Sequence, residues 1–163
     1  MFLHGHYQNA YVTRDLDAAM AALTKRYGLK DYIVFEPDMV LKTAEGDKNA
    51  SVRAALAWDG GLQFELIQPV SGFNDHYLSA LSSEANDKTP AFHHIAVRRD
   101  NLAAMREEIA QLGFPIAFEG EVPGLMVFIY VDAREMLGHF IEFMWATEEG
   151  WAMQGWPKGR RPD

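Results

Sequence analysis

Apolar residues recur at two distinct periods along this chain. Leu16, Ala19, Met20 and Leu23 are spaced three to four residues apart and mark one face of a helix. Asp15 or Asp17 stands where its N-cap falls, and Gly28 stands where a left-handed C-terminal cap falls. Leu102, Met105, Ile109 and Leu112 mark a second helix. Asp100 or Asn101 opens it, Gly113 and Pro115 close it, and Glu107 and Glu108 are expected to face solvent. Each helix is preceded by a strand-like segment. Alternating or continuous apolar runs then predict strands over 31–36, 50–58 and 62–68 after the first helix, with Asp59-Gly60-Gly61 as a hairpin turn. After the second helix they predict strands over 116–121, 125–131 and 139–145, with Pro123-Gly124 and Leu137-Gly138 in the turns.

The two halves align. A constant offset carries Gln8 onto His94, Leu16 onto Leu102 and Leu23 onto Ile109. Two amphipathic helices after two strands can look alike by chance, but here the order of the later strands repeats too. The expected fold class is therefore α+β, built from two βαβββ modules over residues 1–69 and 90–146. Residues 70–89, rich in Ser, Asn, Asp and Lys, read as a linker with room for a short helix over 76–82. Residues 147–163 place Trp151 and Trp156 among Gly, Pro and Arg, and read as an irregular arm.

Composition narrows the function classes. With 163 residues, 48% hydrophobic and 23% charged, the chain can build one ordinary core, and wholesale disorder is excluded. The absence of cysteine removes disulfides, thiolate metal sites and cysteine nucleophiles. A net charge of −8 argues against a nucleic-acid partner. No apolar run approaches the roughly 20 residues of a membrane helix. The start Met1-Phe2-Leu3-His4-Gly5-His6 does not read as a signal peptide, and a cytoplasmic location is expected.

Strand parity sorts the polar residues. On 62–68, Gln63, Glu65 and Ile67 share a face. On 139–145, Phe140, Glu142 and Met144 share one. A carboxylate inside such an apolar strand is costly to desolvate unless it is paired, hydrogen-bonded or on a metal. Ile95 and Val97 are expected to pack on the second helix, which turns His94 and Ala96 to the opposite face; by the repeat, Gln8 and Ala10 match them. Each half thus contributes one polar residue from its first strand and one carboxylate from its last. If the halves pack by a pseudo-twofold, Gln8, Glu65, His94 and Glu142 converge into a mixed nitrogen and oxygen set suited to Zn, Ni, Co, Mn or Fe(II).

Three segments carry a family resemblance: His94-Ile95-Ala96-Val97, Glu65-Leu66-Ile67-Gln68-Pro69 and Gly138-His139-Phe140-Ile141-Glu142-Phe143. Over residues 6–146 the chain resembles the vicinal-oxygen-chelate superfamily, which includes glyoxalase I, methylmalonyl-CoA epimerase, extradiol dioxygenases and bleomycin-resistance proteins. The resemblance implies a curved mixed β-sheet cup with helices outside. It implies Gln8, Glu65, His94 and Glu142 as ligands of one divalent ion, a set similar to that of eukaryotic-type glyoxalase I. The 65–69 stretch and the linker look more like the epimerase branch. Gln8 stands where a histidine is common, and His4 and His6 share its parity as substitutes.

The implied activity is an isomerase, epimerase or lyase. It would abstract a proton α to a carbonyl through an enediolate, with Glu142 as first and Glu65 as second candidate base. A non-catalytic binding or resistance protein of the same fold is the alternative. An iron(II) extradiol-type dioxygenase is a second, disfavoured because it needs two histidines. The four polar residues could also form a metal-free hydrogen-bonded network.

The expected partners are a small-molecule substrate and a second copy in a homodimer. Arg14, Arg53, Arg98 and Arg99 are candidates for an anionic substrate. Plainer readings hold elsewhere. His76, His93 and His139 read as packed or surface residues, Met126, Met136 and Met144 as core, Asp132 and Glu135 as turn residues, and Arg160-Arg161 as a solubilising end.

Overall fold

Both helices form where the periodicity places them. Asp15 caps α1 (Leu16–Tyr27), its carboxylate accepting from Ala18 N–H at 3.0 Å. Asn101 caps α3 (Leu102–Leu112) through Ala104 N–H at 2.9 Å. Leu16 and Ala19 bury against Ala55 and Leu66. Met105 and Ile109 bury against Ile95, Val97 and Phe143. Glu107 is exposed as expected, and Glu108 is half-buried. Glu108 takes both Arg99 Nε and Nη2 at 2.6 Å, because Arg99 projects beside α3.

A computed structural model describes residues 3–157 and 159. Its strands are β1 (His6–Val12), β2 (Ile33–Phe35), β3 (Asp38–Thr43), β4 (Gly46–Asp59), β5 (Leu62–Gly72), β6 (Ala91–Arg99), β7 (Ile116–Val122), β8 (Met126–Asp132) and β9 (Phe140–Ala146). Short helices α2 (Asp75–Leu78), α4 (Arg134–Leu137) and α5 (Glu148–Met153) fill the connections and the C-terminal side. The nine strands make one mixed sheet that closes on itself as a cup. β1 lies parallel to β5 and antiparallel to β6; β6 lies parallel to β9; β4 pairs with β5, and β3 meets β7 at Lys42 and Glu119.

The first half carries four strands after its helix where three were expected. β2 and β3 share one edge of β4 in succession, at 54–56 and 46–51. Pro37 separates them, because it has no N–H to give the ladder. Its carbonyl still accepts from Val52.

Two bulges interrupt strict alternation. The β1–β6 register steps from His6↔Val97 to Gln8↔Ala96, leaving Tyr7 over, and from Ala10↔His94 to Tyr11↔Phe92, leaving His93 over. A bulge places two consecutive residues against one. Consequently Tyr7 and Gln8 are both buried, and so are His93 and His94. The two extra residues are each followed directly by a first-strand site candidate.

The interior of the cup is filled at both ends. Leu41, Phe118, Tyr130 and Phe140 pack at one end, beside Val12, Ile67 and Tyr77. Tyr7, Met126, Met144 and Trp151 pack at the other, with Trp58 and Trp156 against them. The expectation of an irregular C-terminal arm is therefore corrected. Thr147 caps α5 by accepting from Gly150 N–H at 3.1 Å, and Trp151 is inserted into the cup's mouth. Gly150 permits this docking: a Cβ there would lie 2.7 Å from the Leu125 carbonyl oxygen. Arg160-Arg161 lie outside the described residues. Met136, expected in the core, is 74% exposed on α4. Among the described residues no helix is long and apolar enough to cross a membrane.

Candidate metal centre

Register alone brings the sequence candidates together. In one row across three strands, Glu65 on β5 faces Ala10 on β1, which faces His94 on β6. In the next, Gln8 on β1 faces Ala96 on β6, which faces Glu142 on β9. A buried alanine thus lies between the two polar residues of each row. Its single methyl leaves the longer side chains room to bend over it toward each other.

Glu65, His94 and Glu142 do converge. Each offers one ligand atom, and these atoms lie within 4.8 Å of one another. His94 Nε2 stands 3.4 Å from Glu65 Oε2 and 3.5 Å from Glu142 Oε2. The His94 and Glu142 side chains are 0% and 6% exposed, whereas that of Glu65 is 13% exposed, so solvent approaches from the β5 side. Gln8 lies on β1, one row along from the Glu65, Ala10 and His94 row. Its Nε2 donates to Gln63 Oε1 at 2.7 Å, and its Oε1 is buried without a partner. Glu142 Oε2 likewise has no hydrogen-bond partner. Two orphaned buried oxygens beside an imidazole and a second carboxylate are what a divalent cation would satisfy. The four residues fit such an ion. His6 does not compete with Gln8: it is exposed, with Nε2 3.0 Å from Asn9 Oδ1 and 3.1 Å from the Gln8 carbonyl oxygen. His4 is also exposed.

The neighbours fix the tautomer of His94. The His76 carbonyl, which can only accept, lies 3.2 Å from His93 Nε2, so that nitrogen carries the proton. His93 Nδ1 is then an acceptor, and His94 Nδ1, 2.9 Å away, donates to it. Neutral His94 therefore turns its Nε2 lone pair toward the carboxylates. His93 is kept neutral by burial, reinforced by the His94 and His76 rings. His76 is packed against Tyr77 and Phe118 rather than solvent-facing, and burial lowers its pKa to about 3.

Burial would lower the His94 pKa, but contact with Glu142 and Glu65 outweighs it and raises the value to about 9. Burial, offset in part by His94, raises the Glu142 carboxyl. A metal ligand must be deprotonated, so binding an ion expels the His94 proton. Apparent affinity for a divalent ion is expected to climb about tenfold per pH unit until about pH 9 and then level. Without an ion, the raised pKa stabilises the fold below pH 6.5, and this contribution fades as pH passes about 9. Calorimetric titration with Co2+ in buffers of different ionisation enthalpy measures the released proton. Affinity independent of pH between 6.5 and 8.5 would contradict this account.

Sequence reasoning missed several residues that frame the centre. Tyr130 pairs in register with Glu142, and its hydroxyl is 3.2 Å from His94 Nε2. Burial first, then the nearby carboxylates, holds its phenol well above the ordinary value. Tyr7 donates to Met144 Sδ at 3.1 Å. Both faces of β8 are packed, and Tyr130 shares the face of Met126 and Phe128 opposite Val127, Ile129 and Val131, a placement that parity could have given. The bulged Tyr7 and His93 left no such trace.

The four arginines set aside for an anionic substrate are engaged elsewhere. Arg14 donates to the Ser82 carbonyl, and Arg53 pairs with Glu36 and Asp17. Arg98 pairs with Asp100 and lies between the Trp151 and Trp156 rings, and Arg99 pairs with Glu108. Asp132 and Glu135, read as turn residues, fall in regular elements instead: Asp132 ends β8 and binds Arg134, and Glu135 lies in α4.

A closed mixed sheet holding a buried Glu, His, Glu cluster defines a cup-shaped protein with a candidate divalent-cation centre. Residues 7–129 match the Glyoxalase/Bleomycin resistance protein/Dioxygenase superfamily, and the chain belongs to it. The match ends before β9, so Glu142 and the C-terminal segment lie beyond it. No curated protein matches the sequence. Among solved structures, the chain is similar to methylmalonyl-CoA epimerase from Mycobacterium tuberculosis, with 17% identity, 91% of each chain covered and a TM-score of 0.63. A Streptomyces coelicolor methylmalonyl-CoA epimerase variant in complex with 2-nitronate-propionyl-CoA is 16% identical, over 87% of this chain and 96% of that one, with a TM-score of 0.63. A hypothetical protein from Bacillus halodurans is 16% identical, over 88% and 94%, with a TM-score of 0.58. At these identities the likeness concerns the fold.

Proposed function

We propose that this protein is a divalent-metal-dependent isomerase, epimerase or lyase that moves a proton α to a carbonyl on a small substrate with two neighbouring oxygens. Gln8 Oε1, Glu65, His94 Nε2 and Glu142 hold the ion. The observation that carries the reading is the convergence of Glu65, His94 and Glu142, with Gln8 one row away holding a buried amide oxygen that has no hydrogen-bond partner. The ion supplies Lewis-acid stabilisation of negative charge developing on the substrate oxygens. The epimerases of similar fold, whose complexes hold CoA compounds, support a carbonyl-carboxylate substrate without fixing it.

Glu142 takes the substrate proton and returns it. Its side chain is 6% exposed, so bulk water does not compete for the proton. Glu65, nearer solvent, is the second candidate. Tyr130 stands where its hydroxyl can donate to a substrate oxygen, and aromatic packing at both ends of the cup confines water to the Glu65 side. The dioxygenase reading loses support, because His6 turns outward and His93 is tied to His94 and the His76 carbonyl.

The test is solvent exchange. Protein with Co2+, Mn2+, Ni2+ or Zn2+ is incubated in D2O with α-hydroxy-carbonyl and malonyl-type carbonyl-carboxylate compounds, and loss of the Cα–H signal is followed by NMR. At least one compound is expected to exchange, about a hundredfold more slowly after EDTA. Tight Co2+ binding with no exchange in any compound would leave the non-catalytic binding protein as the better reading.

A further inference from the structure

The C-terminal turn reaches the centre through a chain of hydrogen bonds whose direction is fixed at one end. The Gln154 carbonyl accepts from Gln63 Nε2 at 2.8 Å and from Trp58 Nε1 at 3.0 Å. A backbone carbonyl can only accept. Gln63 must therefore turn its NH2 toward the C-terminal turn and its oxygen toward β1. That oxygen accepts from Gln8 Nε2 at 2.7 Å, which leaves Gln8 presenting Oε1. Gln63 is 0% exposed and Gln8 1%, so water does not substitute for either partner. An amide turned over would present an NH2, which has no lone pair available for a cation. The same logic runs on the other first strand, from the His76 carbonyl through His93 to His94.

We propose that Gln63 is a positioning residue: held by the Gln154 carbonyl, it keeps the Gln8 amide oxygen toward the metal. The C-terminal segment, outside the superfamily match, thereby becomes part of the centre's architecture. This rests on the metal reading above. It assigns to Gln63 no contact with the ion or substrate.

A double-mutant cycle with Co2+ alone tests it, read by calorimetry or visible absorption on apo protein. Gln63→Met removes the acceptor that orients Gln8, and Co2+ affinity is expected to fall about 10- to 100-fold. In a Gln8→Glu background both ends of the ligand are oxygen, so orientation no longer matters. There Gln63→Met is expected to leave affinity unchanged or higher. Equal weakening in both backgrounds would mean a merely structural role and would overturn the proposal, as would no weakening in either. Gln63→Leu is the second variant, should the methionine not fold. It also removes the acceptor without adding charge, so the same loss of Co2+ affinity is expected beside Gln8 and none beside Gln8→Glu, and no loss beside Gln8 would overturn the proposal. Wild-type protein that binds no Co2+ fails the metal reading itself, a result distinct from all of these.

Discussion

Glu142→Gln is expected to slow deuterium exchange into substrate about a thousandfold, within the range that a positioned general base contributes. The glutamine keeps an oxygen donor of similar size, so Co2+ affinity should change much less than the rate. The fold should survive, because the substitution removes a buried carboxyl whose raised pKa reflects a costly environment. Exchange, Co2+ titration and thermal melting on one preparation separate these effects. Wild-type exchange in the variant would exclude Glu142 as the base and leave Glu65, 3.4 Å from His94 Nε2, as the remaining carboxylate. Loss of Co2+ binding in parallel with exchange would show that Glu142 acts only as a ligand.

Trp151→Ala is expected to cost about 3–5 kcal/mol of stability, the range for deleting a large buried aromatic. Trp151 is 4% exposed and sits edge-on to Tyr7, with ring centroids 5.4 Å apart. It also packs on Trp156, and the Arg98 guanidinium carbon lies 4.6 Å from its ring centroid. Urea unfolding followed by far-UV circular dichroism measures the loss. A cost below about 1 kcal/mol would mean that α5 rests on the cup rather than forming part of its core. Loosening this helix also frees the Gln154 carbonyl, so Co2+ affinity should fall with stability.

The parts of this fold governed by short-range patterns were legible in the sequence. Asp15 and Asn101 cap the two helices, and the apolar stripes at Leu16, Ala19, Met105 and Ile109 face the sheet. Ile95 and Val97 pack under α3 as parity requires, and Glu65, His94 and Glu142 meet. What escaped was set by long-range packing or by local breaks in period. Pro37 splits one edge into β2 and β3, and a short apolar run gives no sign of which neighbour it will pair with. The bulges at Tyr7 and His93 follow from pairing between distant strands, which no period within one strand reveals. Two tryptophans among Gly, Pro and Arg show no periodicity. Their docking depends on the space left by Met126, Met144 and Tyr7 in the cup's mouth.

The cluster's chemistry was likewise only partly visible. Residue types and strand ends pointed to Gln8, Glu65, His94 and Glu142. The orienting partners Gln63, His93 and Tyr130 became apparent from hydrogen bonds across 55, 1 and 36 residues of sequence. Gln63 shares a strand face with Glu65, yet nothing in that alternation tells which way its amide turns. That direction comes from a carbonyl 91 residues away.

One cation is expected to sit among four side chains from four strands, those of Gln8, Glu65, His94 and Glu142. Crystals grown without chelator, soaked in Co2+ and measured at the cobalt absorption edge address it directly. The account predicts one strong anomalous peak about 2.0–2.2 Å from Gln8 Oε1, Glu65, His94 Nε2 and Glu142. A silent centre, with protonated His94 hydrogen-bonded to both carboxylates and cobalt only at the surface, would contradict it.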